Sequence, residues 1–260
     1  MDDGKLGGVP VRLLVDDDGR KPEKGRQIAE RFIKRDKAKI LTGIVFSNVA
    51  MAVVPKVVKQ GIFYISPNAG PSRLAGKGCN PNYFNVAWQN DNLSEVVGQY
   101  VNNKGFANVY LLAPNYPAGK DALAGFKRFY KGNIAGEVYT TLGQSDYAAE
   151  IAALRAAKPD AVFFFLPGGM GINFLKQYAQ AGLKESIPVF GPAFSFDERI
   201  LKAVGDAAVG GDMDKTDQFR AALKKADFPS VRGTFRFGNN NHPIQDIYVR
   251  KVVKDGQVSV

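Results

Sequence analysis

The stretch at residues 44–78, IVFSNVAMAVVPKVVKQGIFYISPNAGPSRLAGKG, decides the fold because it reads in succession as strand, turn, helix, strand and loop. The run 40–46 is apolar and β-branched, Ser47 and Asn48 are helix-start residues, 49–60 is apolar on most faces, and 62–65 is a second buried strand. Pro55 sits too deep for a first turn, so it should kink the helix or mark its true start. The whole predicts a βαβ unit. Both strands end on small polar residues, Ser47-Asn48 after the first and Ser66-Pro67-Asn68-Ala69-Gly70 after the second, so the two loops should emerge side by side from one sheet edge. In open parallel sheets that edge is where ligands sit.

Working outward, residues 11–15 predict a short strand ending in Asp16-Asp17-Asp18-Gly19, followed by a helix over about 22–37 with Ile28, Phe32 and Ile33 on one face. Three successive aspartates invite Mg²⁺, but neighbouring side chains diverge and no second carboxylate cluster is visible, so they are read as a solvated turn. Residues 80–92, NPNYFNVAWQNDN, break the rhythm and look like a crossing between lobes. The alternation then resumes: helix 93–103, strand 107–113, loop PNYPAGK, helix 122–130, strand 136–142, helix 147–157, strand 161–165. A loop at 166–171, a helix to about Ala181 closed by Gly182, strand 187–190, the loop GPAFSFDE and a short helix to Val204 complete it. Alternation at this spacing means parallel sheet. The tail predicts a polar helix near 217–226 and an antiparallel hairpin turning at 238–241. The expected division is one lobe from 1–91 with about 205–240, and a second from 92–204 with about 241–260.

The 260 residues are 45% apolar and 23% charged, enough for one large or two medium cores. No run of eighteen apolar residues occurs, and MDDGKLGGVP has neither the basic start nor the apolar core of a signal peptide, so read as written the chain is expected to stay in the cytoplasm. Cys79 is the single cysteine, which excludes an intramolecular disulfide and a cysteine-based zinc site. The net charge of +10 is scattered and interrupted by acids, as in Lys34-Arg35-Asp36-Lys37, so nucleic acid is not the expected partner.

Catalysis has little to work with. His242 is the only histidine and sits in a turn, without the second imidazole that a metal triad or relay needs. Gly169-Met-Gly171-Ile-Asn-Phe174 follows a strand and opens a helix as a dinucleotide fingerprint does, but Phe174 stands where the third glycine belongs; its backbone can still favour an anion. No cofactor, metal or catalytic residue is therefore expected. Tyr116, between two prolines, is either a lid that touches ligand or a surface plug, and the lid is favoured. Trp88 and Phe84 are read as packing between lobes, while Phe194 and Phe196 either wall an apolar pocket or pack down on the sheet.

At IVFSNVAMAVVPKVVKQGIFYISPNAGPSRLAG, NPNYFNVAWQND, NYPAGKDALAGF and RGTFRFGNNNHPIQDIYVRKVV the chain resembles the periplasmic solute-binding proteins of the branched-chain amino acid (Leu/Ile/Val-binding) type, and among them the subgroup that takes aromatic carboxylates. The resemblance implies a type I fold of two Rossmann-like α/β lobes with parallel sheets, closing on a small ligand and delivering it in the periplasm to a membrane ABC permease. Ligand contacts carry over to Ser47 and Asn48, to Asn68, Ala69 and Gly70, to Tyr116, and more loosely to Gly168, Gly169 and Phe194. Relatives begin with a further strand and helix ahead of VRLLVDDDG, and have a returning crossover where 208–212 run straight on, so the chain is expected to be shortened at its start and internally near Val209-Gly210. Relatives that bind amino acids carry an acid just after Gly191-Pro192 to receive the ammonium; Ala193 stands there here, which favours a benzoate- or cinnamate-like acid. Branched-chain amino acid or amide binding by the same fold, and a nucleotide-using α/β enzyme, are the alternatives.

Overall fold

In the second half of the chain, β6 (Asn108–Pro114) and β8 (Ala161–Phe164) are apolar almost without interruption and are buried along nearly their whole length, as strands covered on both faces must be. The structure is a computed structural model that describes residues 5–6 and 8–205 and, beyond them, the short strands at 236–237, 243–244, 250–253 and 256–259. Strands β7 (Asn133–Thr140), β6, β8 and β9 (Val189–Phe190) form a parallel sheet in that spatial order. Its side chains alternate between two cores. Leu112, Val162 and Phe164 face one cluster with α6 (Ala148–Ala157) and α7 (Gly169–Gln180). Leu111 and Phe163 face the other with α4 (Asn92–Asn103) and α5 (Pro117–Phe129), where the Phe126 and Phe163 rings stack at 4.5 Å. A 3₁₀ turn at Ala193–Phe196 and α8 (Glu198–Val204) follow β9.

The first half builds a smaller sheet, β3 (Ile40–Thr42), β4 (Phe63–Ser66) and β5 (Tyr83–Asn85), again parallel. Helices α1 (Pro22–Lys34), α2 (Ser47–Lys59) and α3 (Ser72–Ala75) accompany it. One apolar cluster holds it together, dominated by Val49, Val53, Val54, Val57 and Val58 of α2. Ahead of it stands the two-residue antiparallel pair β1 (Lys5–Leu6) and β2 (Val9–Pro10). The described tail strands pair as two antiparallel hairpins, β10 (Arg236–Phe237) with β11 (Pro243–Ile244) and β12 (Arg250–Val253) with β13 (Gly256–Ser259). The first pair flanks the expected turn at 238–241, which itself lies outside the described residues; the second was not expected. No helix among the described residues is long and apolar enough to cross a membrane.

Several boundaries differ from the expectation for physical reasons. Residues 11–15 are not a strand: the segment has no ladder partner among the described residues, and Leu13 and Val15 are exposed. β-propensity without a neighbouring edge does not make a strand. Strand 40–46 stops at Thr42, because Gly43 turns the chain at φ +100°. Helix α2 begins at Ser47, so Pro55 lies inside it rather than at its start. The crossing at 80–92 contains β5, and α5 starts at Pro117, which takes over most of the expected PNYPAGK loop. Asp16, Asp17 and Asp18 do form a turn, with Asp17 and Asp18 accepting from the Gly19 and Arg20 amides and Asp16 paired with Arg31. The expected helix at 217–226 and the junction near Val209-Gly210 lie outside the described residues, as does most of what was assigned to the returning parts of each lobe. Between segment 11–16, α1 and the outer edge of β3 lies a cavity of ≈ 390 Å³ lined by Leu13, Leu14, Ile28, Phe32, Ile40 and Leu41 among others.

Candidate functional site

The carboxyl ends of β3, β5, β6, β8 and β9 carry a continuous wall of aromatic rings. Phe46, just before α2, lies 6.2 Å from Tyr116, just before α5. Tyr116 lies 6.4 Å from Phe165 at the end of β8, and Phe165 meets Phe194 edge-on at 5.8 Å. Phe194 in turn stacks on Trp88 of the crossing at 6.1 Å and 21°. The chain of rings therefore passes from the first sheet to the second and back to the crossing. Trp88 packs between the two halves as expected, and is also one end of this wall. Burial pushes the Tyr116 phenol well above its ordinary value, with the Asp121 carboxylate adding to the effect.

Beside the wall lies a polar knot centred on Asn90. Its Nδ2 donates to Ser47 Oγ at 3.1 Å and to Asp121 Oδ2 at 3.0 Å, and its Oδ1 accepts from the Gly70 amide at 3.2 Å. The Asn90 amide donates to the Gly70 carbonyl at 2.8 Å. Asp121, on α5, also accepts from the Ser72 amide at 3.0 Å, tying the second half to the start of α3. Its carboxyl is held above the ordinary range chiefly by burial, opposed by its hydrogen bonds from Ser72 and Asn90, with the nearby Asp91 adding to the rise. Asp91, 3% exposed, pairs with Arg128 at 3.1 Å, and Arg128 also reaches Glu95.

Ser47, the first residue of α2, is buried at 2% exposure. Next to it, Asn48 Oδ1 is buried with no hydrogen-bond partner among the described residues. The loop after β4 is rigid: the Ala69 carbonyl accepts from Ser66 Oγ at 2.6 Å and from the Tyr83 hydroxyl at 3.2 Å. Asn68 is half-buried beside it. Gly70 is required by close approach, since a Cβ there would stand 2.0 Å from the Trp88 carbonyl oxygen. Its amide is taken by Asn90. Gly168 and Gly169 are exposed, with open space where a side chain would stand, and no bond joins them to the knot. Phe194 is in the wall, and the neighbouring Ser195 Oγ is buried without a partner among the described residues. Ala193 is exposed, and Asp197 caps α8 by accepting from the Ile200 amide at 2.9 Å, as its position predicts.

Thus Ser47 and Gly70 are brought together through Asn90, and Tyr116 and Phe194 through Phe165. Asn90, Asp121, Phe46 and Phe165 were missed by sequence reading. The two rings sit at strand ends, where apolar residues read as core, and only their position at the carboxyl end marks them. Phe174 is fully buried in the core, which removes the dinucleotide reading of its stretch. Cys79 is free and exposed, and His242 lies outside the described residues. Among the described residues no group of acids, histidines or cysteines is placed to hold a metal. What the arrangement can do is hold a flat apolar body against the rings and an anion near the amino end of α2.

The profile of the family described as periplasmic binding protein matches residues 1–211. A Leu/Ile/Val-binding protein homolog 1 from Brucella abortus is 27% identical over 239 residues, which is 86% of this chain and 62% of that protein. A Leu/Ile/Val-binding protein homolog 3 from Brucella melitensis is 27% identical over 70% of this chain and 50% of its own length. The chain thus spans between half and two thirds of these relatives. Among solved structures, an ABC-transporter solute-binding protein from R. palustris in complex with benzoate superimposes with a TM-score of 0.82 at 25% identity, covering 100% of this chain and 87% of that one. A leucine-binding protein from Thermotoga maritima, at 14% identity and a TM-score of 0.78, covers 100% and 89% and attests the fold alone.

Proposed function

Since the chain belongs to the periplasmic binding protein family, we propose that it captures a small aromatic carboxylate between two lobes and hands it, in the periplasm, to a membrane ABC permease, without turnover. The observation that carries this reading is the ring wall from Phe46 through Tyr116, Phe165 and Phe194 to Trp88, set beside the amino end of α2. A benzoate-like body lies against the wall, and its carboxylate meets Ser47, Asn48 and the loop of Asn68 and Ala69, with Gly70 holding that loop against the crossing. Gly168 and Gly169 border the opposite side. In this reading residues 1–91 and 92–204 form the two lobes, completed by about 205–240 and 241–260.

The benzoate held by the R. palustris protein supports the ligand class, and the names of the Brucella relatives favour leucine, isoleucine or valine instead. Ala193 supports the aromatic acid: where the resemblance places an acid for an ammonium, this position offers a methyl group, and Asp197 is engaged as a helix cap. Calorimetric titration with benzoate, a cinnamate and leucine tests the reading. Aromatic acids are expected to bind more tightly, and tighter binding of leucine than of any aromatic acid overturns it.

A further inference from the structure

All hydrogen-bonding groups of the Asn90 side chain are assigned. Its two Nδ2 hydrogens go to Ser47 Oγ and Asp121 Oδ2, and its Oδ1 receives the Gly70 amide. The opposite amide orientation is excluded by its neighbours: it sets Nδ2 against the Gly70 N–H, donor against donor, and Oδ1 against the Asp121 carboxylate, acceptor against acceptor. Asp121 is itself anchored by the Ser72 amide at 3.0 Å, so the carboxylate acts as a fixed acceptor. One lone pair of the Ser47 oxygen is therefore occupied by a donor. Its proton cannot return to Asn90, which offers only N–H on that side, and no other acceptor for it appears among the described residues. A hydroxyl in that state is a donor in search of an acceptor, and a carboxylate is acceptor-only.

We propose that Asn90, locked in one orientation by Asp121, is the positioning residue that turns the Ser47 hydroxyl into a hydrogen-bond donor and so selects a carboxylate over its amide counterpart. This rests on the reading of Ser47 as part of the anion grip. Exchanging the two groups tests it. In the Asn90→Asp, Asp121→Asn double variant, the carboxylate at position 90 accepts from Gly70 and from Ser47, whose proton now points away from the ligand, while the amide at 121 must turn so that its oxygen keeps the Ser72 amide and its Nδ2 donates to position 90.

Benzoate and benzamide are titrated by calorimetry against the wild-type chain, Ser47→Ala, Asp121→Asn and the double variant, with a thermal melt on each. The wild type is expected to prefer benzoate. The double variant should lose about tenfold or more in benzoate affinity while benzamide changes by less than about threefold. Asp121→Asn alone keeps an acceptor opposite Asn90 and should retain the wild-type preference. If the double variant melts early, Asn90→Leu alone, which frees the Ser47 oxygen to accept from an amide, predicts a fall in preference in the same direction. A double variant or an Asn90→Leu variant that keeps the wild-type ratio of benzoate to benzamide overturns the proposal. So does a Ser47→Ala protein with unchanged benzoate affinity, a result that leaves the aromatic-carboxylate reading standing. Failure of the wild type to bind any aromatic acid is the separate outcome that removes that reading and this proposal with it.

Discussion

Replacing Gly70 by alanine adds one methyl group at the most crowded point of the site. The new Cβ would stand 2.0 Å from the Trp88 carbonyl oxygen and 2.4 Å from Asn85 Nδ2, so the crossing must retreat by about 1 Å or more to reach ordinary contact. That retreat strains the two bonds between Gly70 and Asn90, one in each direction, and through Asn90 those to Ser47 and Asp121. Overpacking costs about 1–3 kcal/mol, and two weakened neutral hydrogen bonds about 0.5–1.5 kcal/mol each. The sum, about 2–6 kcal/mol, is a large share of the roughly 5–15 kcal/mol that holds a domain folded. At roughly 2–4 °C per kcal/mol for a chain of this size, Tm should fall by about 5–20 °C. Differential scanning calorimetry on both proteins measures it, with ligand titration on whatever remains folded. A Gly70→Ala protein melting within about 1 °C of wild type would mean that the crossing yields freely and that the knot around Asn90 is not a rigid part of the site.

Two other outcomes follow from features described above. Asp121 holds its proton more tightly in the folded chain than in the unfolded one, with burial and Asp91 raising its pKa against the hydrogen bonds from Ser72 and Asn90. From the ordinary value of 3.8 up through the raised value, the native state therefore binds more protons, and stability should fall as pH climbs through that window; Asp121→Asn should flatten the decline in urea melts taken across it. Among the described residues β3 pairs only with β4, and Ile40 is 55% exposed on that strand, so the free edge should drive self-association; sedimentation at rising concentration should show it, Ile40→Lys should reduce it, and a wild-type chain monomeric throughout would count against it.

The parallel architecture was legible because β6 and β8 are buried on both faces and leave no polar position to confuse the pattern. Ser47 was legible because helix-start residues following a β-branched run mark where a parallel strand delivers its loop. Asp197 was read correctly as a cap from its place ahead of α8. Residues 11–15 misled because strand propensity is local while a ladder needs a second chain segment beside it. Asn90 and Asp121 could not be paired from sequence, because their partners, Ser47 after β3 and Gly70 and Ser72 after β4, come from two different connections that only the folded sheet brings together. Phe46 and Phe165 carried no polar signal, and a ring in a wall and a ring in a core look alike until the strand ends are known.

Among the described residues the four-stranded and three-stranded sheets are unequally covered. The four-stranded one has a core on each face, whereas the described part of the three-stranded one leans on one cluster around α2. In terms of amide exchange, the amides of β6 and β8 should open only with global unfolding, and those of β3 and α2 through smaller, more frequent excursions. Ser47 belongs to that less protected half. If, as proposed, ligand is gripped there, it ties the weaker half to the stronger one and its capture is also a folding reaction: affinity measured on the whole chain would be lowered by whatever fraction of the first half is open, and bound ligand would close that fraction by mass action.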